Sequence, residues 1–288
     1  MYNSFAYVYD EFMENVPYER WAKMLADILR GDGIEDGLLL DLGCCTGTLT
    51  RLMVDLGYDM TGVDLSADML SVAREYEMNL QDDAEVRYDP TADSEIHDGD
   101  FDNEGEDEPQ VKDGDRRGIL YLCQDMREFE LYGTVRAVYS LCDCLNYITE
   151  YDDLVQVFKL VNNYLDPGGL FIFDLNTDYK YRDIIGNRTI AESREDCSFI
   201  WDNLYDSEKK INEYDLTLFI EGEDGRFDRF LETHYQKGYD PAEVKKILED
   251  NKFEIVKMTD SETEGDVSDV TQRIFVVAKS TKEKNQNE

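Results

Sequence analysis

Apolar positions along the chain recur in two alternating rhythms. Trp21, Met24, Leu25, Ile28 and Leu29 fall three and four residues apart, the spacing of one helix face, and Gly31-Asp32-Gly33 ends the run. Leu38-Leu39-Leu40 is a short continuous apolar run that leads into Asp41-Leu42-Gly43 and predicts a buried strand. Leu49, Leu52, Met53 and Leu56 return to helical spacing and stop at Gly57. Met60 to Val63 is a second strand, closed by Asp64. Strand, glycine-bearing turn, helix, strand is a βαβ unit, which implies a parallel sheet with right-handed crossovers.

The alternation continues downstream. Ala67 to Tyr76 reads as a helix, and Ile119 to Cys123 and Ala137 to Leu141 read as strands. Leu154, Val157, Phe158, Val161 and Tyr164 line one helix face. Asp166-Pro167-Gly168-Gly169 predicts a turn before a strand from Leu170 to Leu175. Asp240-Pro241 opens a helix, with Asp placed to cap it and Pro in its first turn; Val244, Ile247 and Leu248 form its buried stripe. Phe253 to Met258 and Arg273 to Ala278 are the last two strands.

Two segments interrupt this rhythm. Asp89 to Gly118 holds 12 acidic and 3 basic residues with few large apolar ones, too few to offset the entropy of ordering it, and predicts a surface loop. From about Thr189 to Tyr239, period-two stretches such as Phe199-x-Trp201-x-Asn203-x-Tyr205 and Leu216-x-Leu218-x-Ile220 predict three or four antiparallel strands. The chain then divides into an N-terminal helical segment (residues 1–36), an α/β core (37–180 and 240–280, with the acidic loop at 89–118), a strand insertion (181–239) and a polar tail (281–288).

Charge changes the picture more than composition does. The 29 basic and 66 acidic residues give a net charge of −37, which repels phosphate backbones and argues against a nucleic-acid partner. Cys44, Cys45, Cys123, Cys142, Cys144 and Cys197 form no C-x-x-C pair, and only two histidines accompany them, which argues against a zinc site. Asp100-x-Asp102-x-Glu104-Gly105 lacks the closing bidentate Glu of a calcium loop. No metal is expected. Cysteines inside apolar runs suit a reducing cytoplasm; the aromatic, acidic N-terminus does not read as a signal peptide, and no apolar run approaches membrane-spanning length.

Candidate chemistry gathers at strand ends. Asp41-Leu42-Gly43-Cys44-Cys45-Thr46-Gly47 is a glycine-bearing turn between strand and helix, where open α/β sheets bring backbone close to a ligand. Asp64 ends the next strand, 23 residues after Asp41, where an acidic side chain accepts hydrogen bonds from ribose hydroxyls. These residues point to a nucleoside cofactor and do not separate a dinucleotide from S-adenosylmethionine.

LLLDLGCCTGTLTRLM, TGVDLSADML, CQDMREF and LDPGGLFIFD, in that order, closely resemble the consecutive motifs of class I S-adenosylmethionine-dependent methyltransferases. FAYVYDEFM and FLETHYQKGY resemble the N-terminal lid and strand insertion of small-molecule members, including sugar N,N-dimethyltransferases and uncharacterised bacterial proteins. The resemblance implies a Rossmann-like, seven-stranded, mostly parallel sheet with helices on both faces, an antiparallel β insertion over the acceptor site and an N-terminal helical lid. It implies S-adenosylmethionine as cofactor. Gly43, Cys45 and Gly47 would lie under its methionine part, which Asp41 helps orient. Tyr9 reads either as closing over the methionine end or as part of a packing stripe with Phe5 and Phe12. Asp64 would bind the ribose. Asp125 would take the adenine amine, with Met126, Leu65 and Met69 around the ring and Cys142 beside the methionyl group. The sequence departs from the family where Cys45 replaces the central glycine of Gly-x-Gly-x-Gly, a change that costs little at negative φ and more at positive φ.

Methyl transfer needs alignment of a nucleophile more than acid–base groups, so no catalytic dyad stands out. Asn146 and Tyr147, with Asp143, follow the fourth strand and are candidates for acceptor contact or, for Asn146 and Asp143, for helix capping. Alternation places Glu232, His234 and Gln236 on one strand face; it reads as an acceptor wall with His234 as base, or as a solvated face. The expected activity is methyl transfer to a nitrogen or oxygen of a small-molecule acceptor by a monomer or homodimer with no membrane attachment. A protein or RNA substrate, an inactive cofactor-binding protein and, more remotely, a nicotinamide oxidoreductase remain as alternatives.

Overall fold

The computed structural model describes residues 5–87, 118–222 and 224–283, so the acidic loop at 89–118, apart from its last residue, and most of the 281–288 tail lie outside the described residues. The N-terminal segment forms α1 (Phe5–Phe12) and α2 (Tyr18–Gly31). The expected βαβ unit follows as β1 (Leu38–Leu42), α3 (Thr48–Asp55) and β2 (Asp59–Asp64). The next helix, α4 (Ala67–Arg87), runs well beyond the Tyr76 end that its apolar spacing suggested. Then come β3 (Leu120–Cys123), β4 (Val135–Ser140), a single 3-10 turn at Cys144–Tyr147, α5 (Tyr151–Tyr164) and β5 (Leu165–Asn176). A π-helical turn at Lys180–Ile185 leads into the insertion: β6 (Thr189–Ser193), β7 (Cys197–Asp206), β8 (Ile211–Glu221) and β9 (Phe227–Lys237). The chain returns through α6 (Pro241–Asp250), β10 (Phe253–Asp260) and β11 (Arg273–Ser280).

The larger sheet has the order β10-β11-β5-β4-β1-β2-β3. Its first five strands in chain order are parallel, while β11 runs antiparallel to both β5 and β10. Central strands are apolar on both faces because helices cover both, as parallel sheets require. Leu40, Leu42, Val138, Phe171 and Phe173 pack with Val157, Phe158, Val161 and Ile247 on the α5/α6 side. Leu39, Ala137, Tyr139 and Ile172 pack with Leu25, Leu29 and Met53 on the α2/α3 side. The order reverses between β1 and β4, and this switch point opens the crevice in which such sheets bind ligands.

Local chemistry sets the element ends. Asp240 and Glu243 form a capping box on α6, with Pro241 at its first turn, as their spacing predicted. Asp166-Pro167-Gly168-Gly169 does not separate two elements. Leu165 pairs with Val135 and Leu170 with Ala137, so these four residues loop out as a bulge within β5. Gly168 takes φ +81°, and Gly169 lies so close to β4 that a Cβ would sit 2.7 Å from the Arg136 carbonyl oxygen. The insertion is a separate antiparallel sheet, order β6-β7-β8-β9.

The close approach at Gly169 carries a prediction. Gly169→Ala forces two strands apart at the sheet centre and should cost about 1–3 kcal/mol, whereas Gly133→Ala faces open space. Thermal unfolding of both variants checks this, with a fall in Tm expected only at position 169.

Candidate active site

The crevice is floored by three strand ends: the Gly43–Gly47 turn after β1, Asp64 closing β2, and Leu141–Asn146 after β4. Gly43 takes φ +87° and Gly47 φ +76°, and neither has room for a side chain. A Cβ on Gly43 would meet Cys144 at 2.8 Å; one on Gly47 would strike the Tyr121 hydroxyl at 2.3 Å. The glycines therefore let the turn nest against its neighbours. Between them Cys45 also takes positive φ, +49°, in the left-handed region. That is the costlier of the two cases for a side chain here, about 1–2 kcal/mol of backbone strain. Its N–H donates to Asp64 Oδ2 at 2.9 Å, and the Ser66 N–H donates to Oδ1 at 2.8 Å. Asp64 thus clamps the turn to the end of β2, and each of its oxygens keeps a further lone pair. Burial raises its pKa.

Asp41 lies beneath the turn, buried, accepting a hydrogen bond from the Thr50 hydroxyl at 2.6 Å. Burial pushes its carboxyl up to about 7, partly offset by hydrogen bonding from Thr50. Leu65 is 65% exposed beside Asp64, whereas Met69 is buried against Ala6, Tyr9 and Val72. Met126 packs on the core edge facing Gly43. Asp125 is held by Arg127, whose Nε and Nη2 lie 2.9 and 2.5 Å from its two oxygens, and these bonds hold its carboxyl below the usual range.

Across the switch point, Cys142 and Asp143 are consecutive left-handed residues, with φ +64° and +51°. Asp174, near the end of β5, accepts both their N–H groups, at 3.3 and 2.7 Å. Arg273 of β11 bridges Asp174 at 3.0 Å and Asp143 at 2.5 Å. Gln236 of β9 donates to the other Asp143 oxygen at 2.8 Å, and accepts from the Tyr181 and Tyr214 hydroxyls. Neither Asp174 nor Arg273 stood out in the sequence; the one signal was an acidic residue within the apolar run of β5.

The acceptor-side candidates separate sharply. Asn146 is fully buried, donates to the Asn176 and Lys237 carbonyls and accepts the Asn176 N–H. It is a clamp between β5 and β9 with no surface to offer a substrate, which corrects its expected place at the acceptor. Gln236 is likewise consumed by the Asp143 network. Tyr147 is exposed and its hydroxyl lies 3.4 Å from His234 Nδ1. Glu232 lies on the other side of that ring, 3.2 Å from Nε2. The two side chains are each only 9% exposed, so the solvated-face alternative for this strand does not hold there.

Helix α1 forms the roof. Thr46 donates to Asp10 at 2.7 Å, and Tyr9 packs over Met69 and Cys45. On its other side Phe5 meets the His234 ring at 6.4 Å and Phe12 meets Phe199 at 5.0 Å. Tyr9, Tyr18, Cys45, Thr46 and Cys142 are among the residues around a remaining cavity of about 20 Å³, room for about one water molecule. A nucleoside ligand enters this crevice only if α1 moves.

The buried Asp41 gives a pH prediction. Its folded-state pKa lies above its unfolded value of 3.8, so stability is fullest below pH 4 and is lost as pH rises to about 7. The loss is on the order of 4 kcal/mol. Asp41→Asn keeps an acceptor for Thr50 without the charge; its Tm should fall less than the wild-type Tm between pH 5 and 8, in paired calorimetric scans.

The family model described as "Methyltransferase domain" matches residues 9–258. The Bacillus subtilis (strain 168) protein named "Putative methyltransferase YqeM" is 31% identical over 284 residues, 98% of each chain. The dTDP-3-amino-3,4,6-trideoxy-alpha-D-glucopyranose N,N-dimethyltransferase of Streptomyces venezuelae is 27% identical over 170 residues, 58% of this chain and 55% of that one. The crystal structure of an S-adenosylmethionine-dependent methyltransferase from Clostridium acetobutylicum ATCC 824 superposes with a TM-score of 0.76 at 25% identity, covering 98% of this chain and 99% of that one. With the family model spanning every strand end that forms the crevice, the chain belongs to the methyltransferase domain family.

Proposed function

We propose that the chain transfers the methyl group of S-adenosylmethionine to a nitrogen or oxygen of a small-molecule acceptor. The observation that carries this reading is Asp64. It closes β2 at the switch-point crevice with both oxygens oriented by backbone N–H groups and a lone pair left on each. That is the chemistry a ribose diol requires. Relatives support the donor and the class of acceptor: the Clostridium structure is named for S-adenosylmethionine, and the Streptomyces enzyme for an amino sugar.

The residues present fit a cationic nucleoside. Buried Asp41 and clamped Asp64 place two acidic groups under and beside the Gly43–Gly47 turn. Leu65 is exposed beside Asp64, and Met126 borders Gly43. Asp125 is held by Arg127, which engages both its oxygens, so an exocyclic amine would have to replace one of these contacts. When bound, S-adenosylmethionine supplies an activated methyl group on a sulfonium. The protein's share is alignment and exclusion of water. Tyr9 and Thr46 close α1 over the turn, and the Cys142-Asp143 backbone, fixed by Asp174, forms the opposite wall. In this reading His234, which lies between Tyr147 and Glu232, takes a proton from the acceptor; its burial beside both supports that role.

The net charge of −37 and the buried acceptor side favour a small molecule over RNA. Cofactor binding tests the donor. Asp64→Ala should weaken S-adenosylmethionine binding by about 1–3 kcal/mol, measured by calorimetry; no binding to the wild type sinks the proposal. His234→Ala should lower kcat by about 10²–10⁴-fold while the calorimetric affinity for S-adenosylmethionine stays unchanged. An unchanged kcat removes His234 from the mechanism.

A further inference from the structure

We infer that Glu232, His234 and Tyr147 work as one proton relay, and that the Tyr147 hydroxyl, not the imidazole, is the group that meets the acceptor. This rests on the methyl-transfer reading and deepens it. The side chains come from two elements: Glu232 and His234 stand two residues apart on one face of β9, and Tyr147 ends the 3-10 turn after β4. Glu232 Oε2 lies 3.2 Å from His234 Nε2, and the Tyr147 hydroxyl lies 3.4 Å from Nδ1. Each ring nitrogen is therefore faced by a group of this chain. The ring is also enclosed, with Phe5 edge-on at 6.4 Å and Tyr147 at 5.9 Å. The Glu232 and His234 side chains are each 9% exposed, whereas Tyr147 is 42% exposed. Of the three groups, the tyrosine is the one open to a small molecule.

The carboxylate orders the ring. Among the described residues Glu232 Oε2 accepts no hydrogen bond, so its contact with Nε2 is one of charge. A negative charge beside Nε2 keeps the ring proton on that nitrogen and leaves the Nδ1 lone pair for the Tyr147 O–H. A buried carboxylate oxygen without a hydrogen bond is costly at rest. That cost is offset when the ring gains a second proton, because the contact then becomes an ion pair in a site poor in water. The arrangement suits an imidazolium that forms during the reaction. The tyrosine is held as firmly. Asn146, just before it, is clamped to the Asn176 and Lys237 carbonyls, and Tyr239 donates to the carbonyl of Ile148, just after it. The 3.4 Å contact is long for a hydrogen bond, as catalytic contacts often are before substrate tightens them.

The step balances. The acceptor's N–H or O–H proton passes to the Tyr147 oxygen as the tyrosine's own proton passes to His234 Nδ1. The acceptor's electron pair forms the bond to the methyl carbon, the C–S bond breaks, and the C–S electrons stay on sulfur as a neutral thioether. The positive charge that began on the sulfonium ends on His234, 3.2 Å from the Glu232 carboxylate. Tyr147 leaves the step as it entered, a neutral phenol. Tyr147 and His234 handle the moving proton, and Glu232 is a positioning residue.

The test uses the full chain, methyl-labelled S-adenosylmethionine and a pool of small metabolites, with the pool fraction that takes up label serving as acceptor for initial rates. Tyr147→Phe and Glu232→Gln should each lower kcat by about 10²-fold, with KM and the calorimetric affinity for S-adenosylmethionine unchanged. Glu232→Asp, which keeps the charge, should restore part of the rate. Tyr147→Phe added to His234→Ala should bring little further loss, because members of one unit do not act additively. In mixtures of light and heavy water the wild-type rate should curve with deuterium fraction, as two protons in flight require, and Tyr147→Phe should give a straight line. An undiminished kcat in Tyr147→Phe, a straight wild-type line, full additivity with His234→Ala, or no label despite cofactor binding overturns the relay. Absence of cofactor binding in the wild type instead overturns the methyl-transfer reading beneath it.

Discussion

The bridge from Arg273 to Asp174 and Asp143 holds three parts of the molecule in one geometry. Asp174 lies near the end of β5, Arg273 begins β11, Asp143 follows β4 by three residues, and Gln236 brings in β9 of the insertion. A largely buried ion pair is stable only where its remaining lone pairs and protons find partners. Here they do. Asp174 accepts two backbone N–H groups besides the guanidinium, and Asp143 accepts Gln236. These charge-assisted bonds, each about 1.5–3 kcal/mol, offset the strain of two consecutive left-handed residues, Cys142 and Asp143. The wall of the crevice is shaped by that strain, so its form depends on a residue 130 positions away.

Helix α1 couples the two halves of the site because both of its faces are used. Ala6, Tyr9 and Asp10 face the Gly43–Gly47 turn and α4; Phe12 faces the insertion sheet, where Cys197 also contacts Glu11, and Phe5 touches both Tyr9 and His234. A movement that admits a nucleoside beneath Tyr9 therefore also shifts Phe5 against His234.

Cys45 changes meaning once its backbone is seen. The left-handed φ shows why the family prefers glycine there. Its N–H bond to Asp64 and its packing under Tyr9 show what retains the loop despite the side chain.

The sequence by itself determined the alternating sheet, the glycine turn, the acidic residue ending β2 and the antiparallel insertion. All of these rest on local periodicity and turn chemistry, which neighbouring residues impose on one another. It also placed Glu232, His234 and Gln236 on one face, because alternation follows from the pleat. Only the tertiary structure decided what that face meets. It buried Glu232 beside His234, spent Gln236 on Asp143, and turned Asn146 into a clamp between two carbonyls. The physical reason is that a polar side chain's role is set by its partner, and here partners come from strands about 30 to 130 residues away. Local pattern carries no record of such distant pairings.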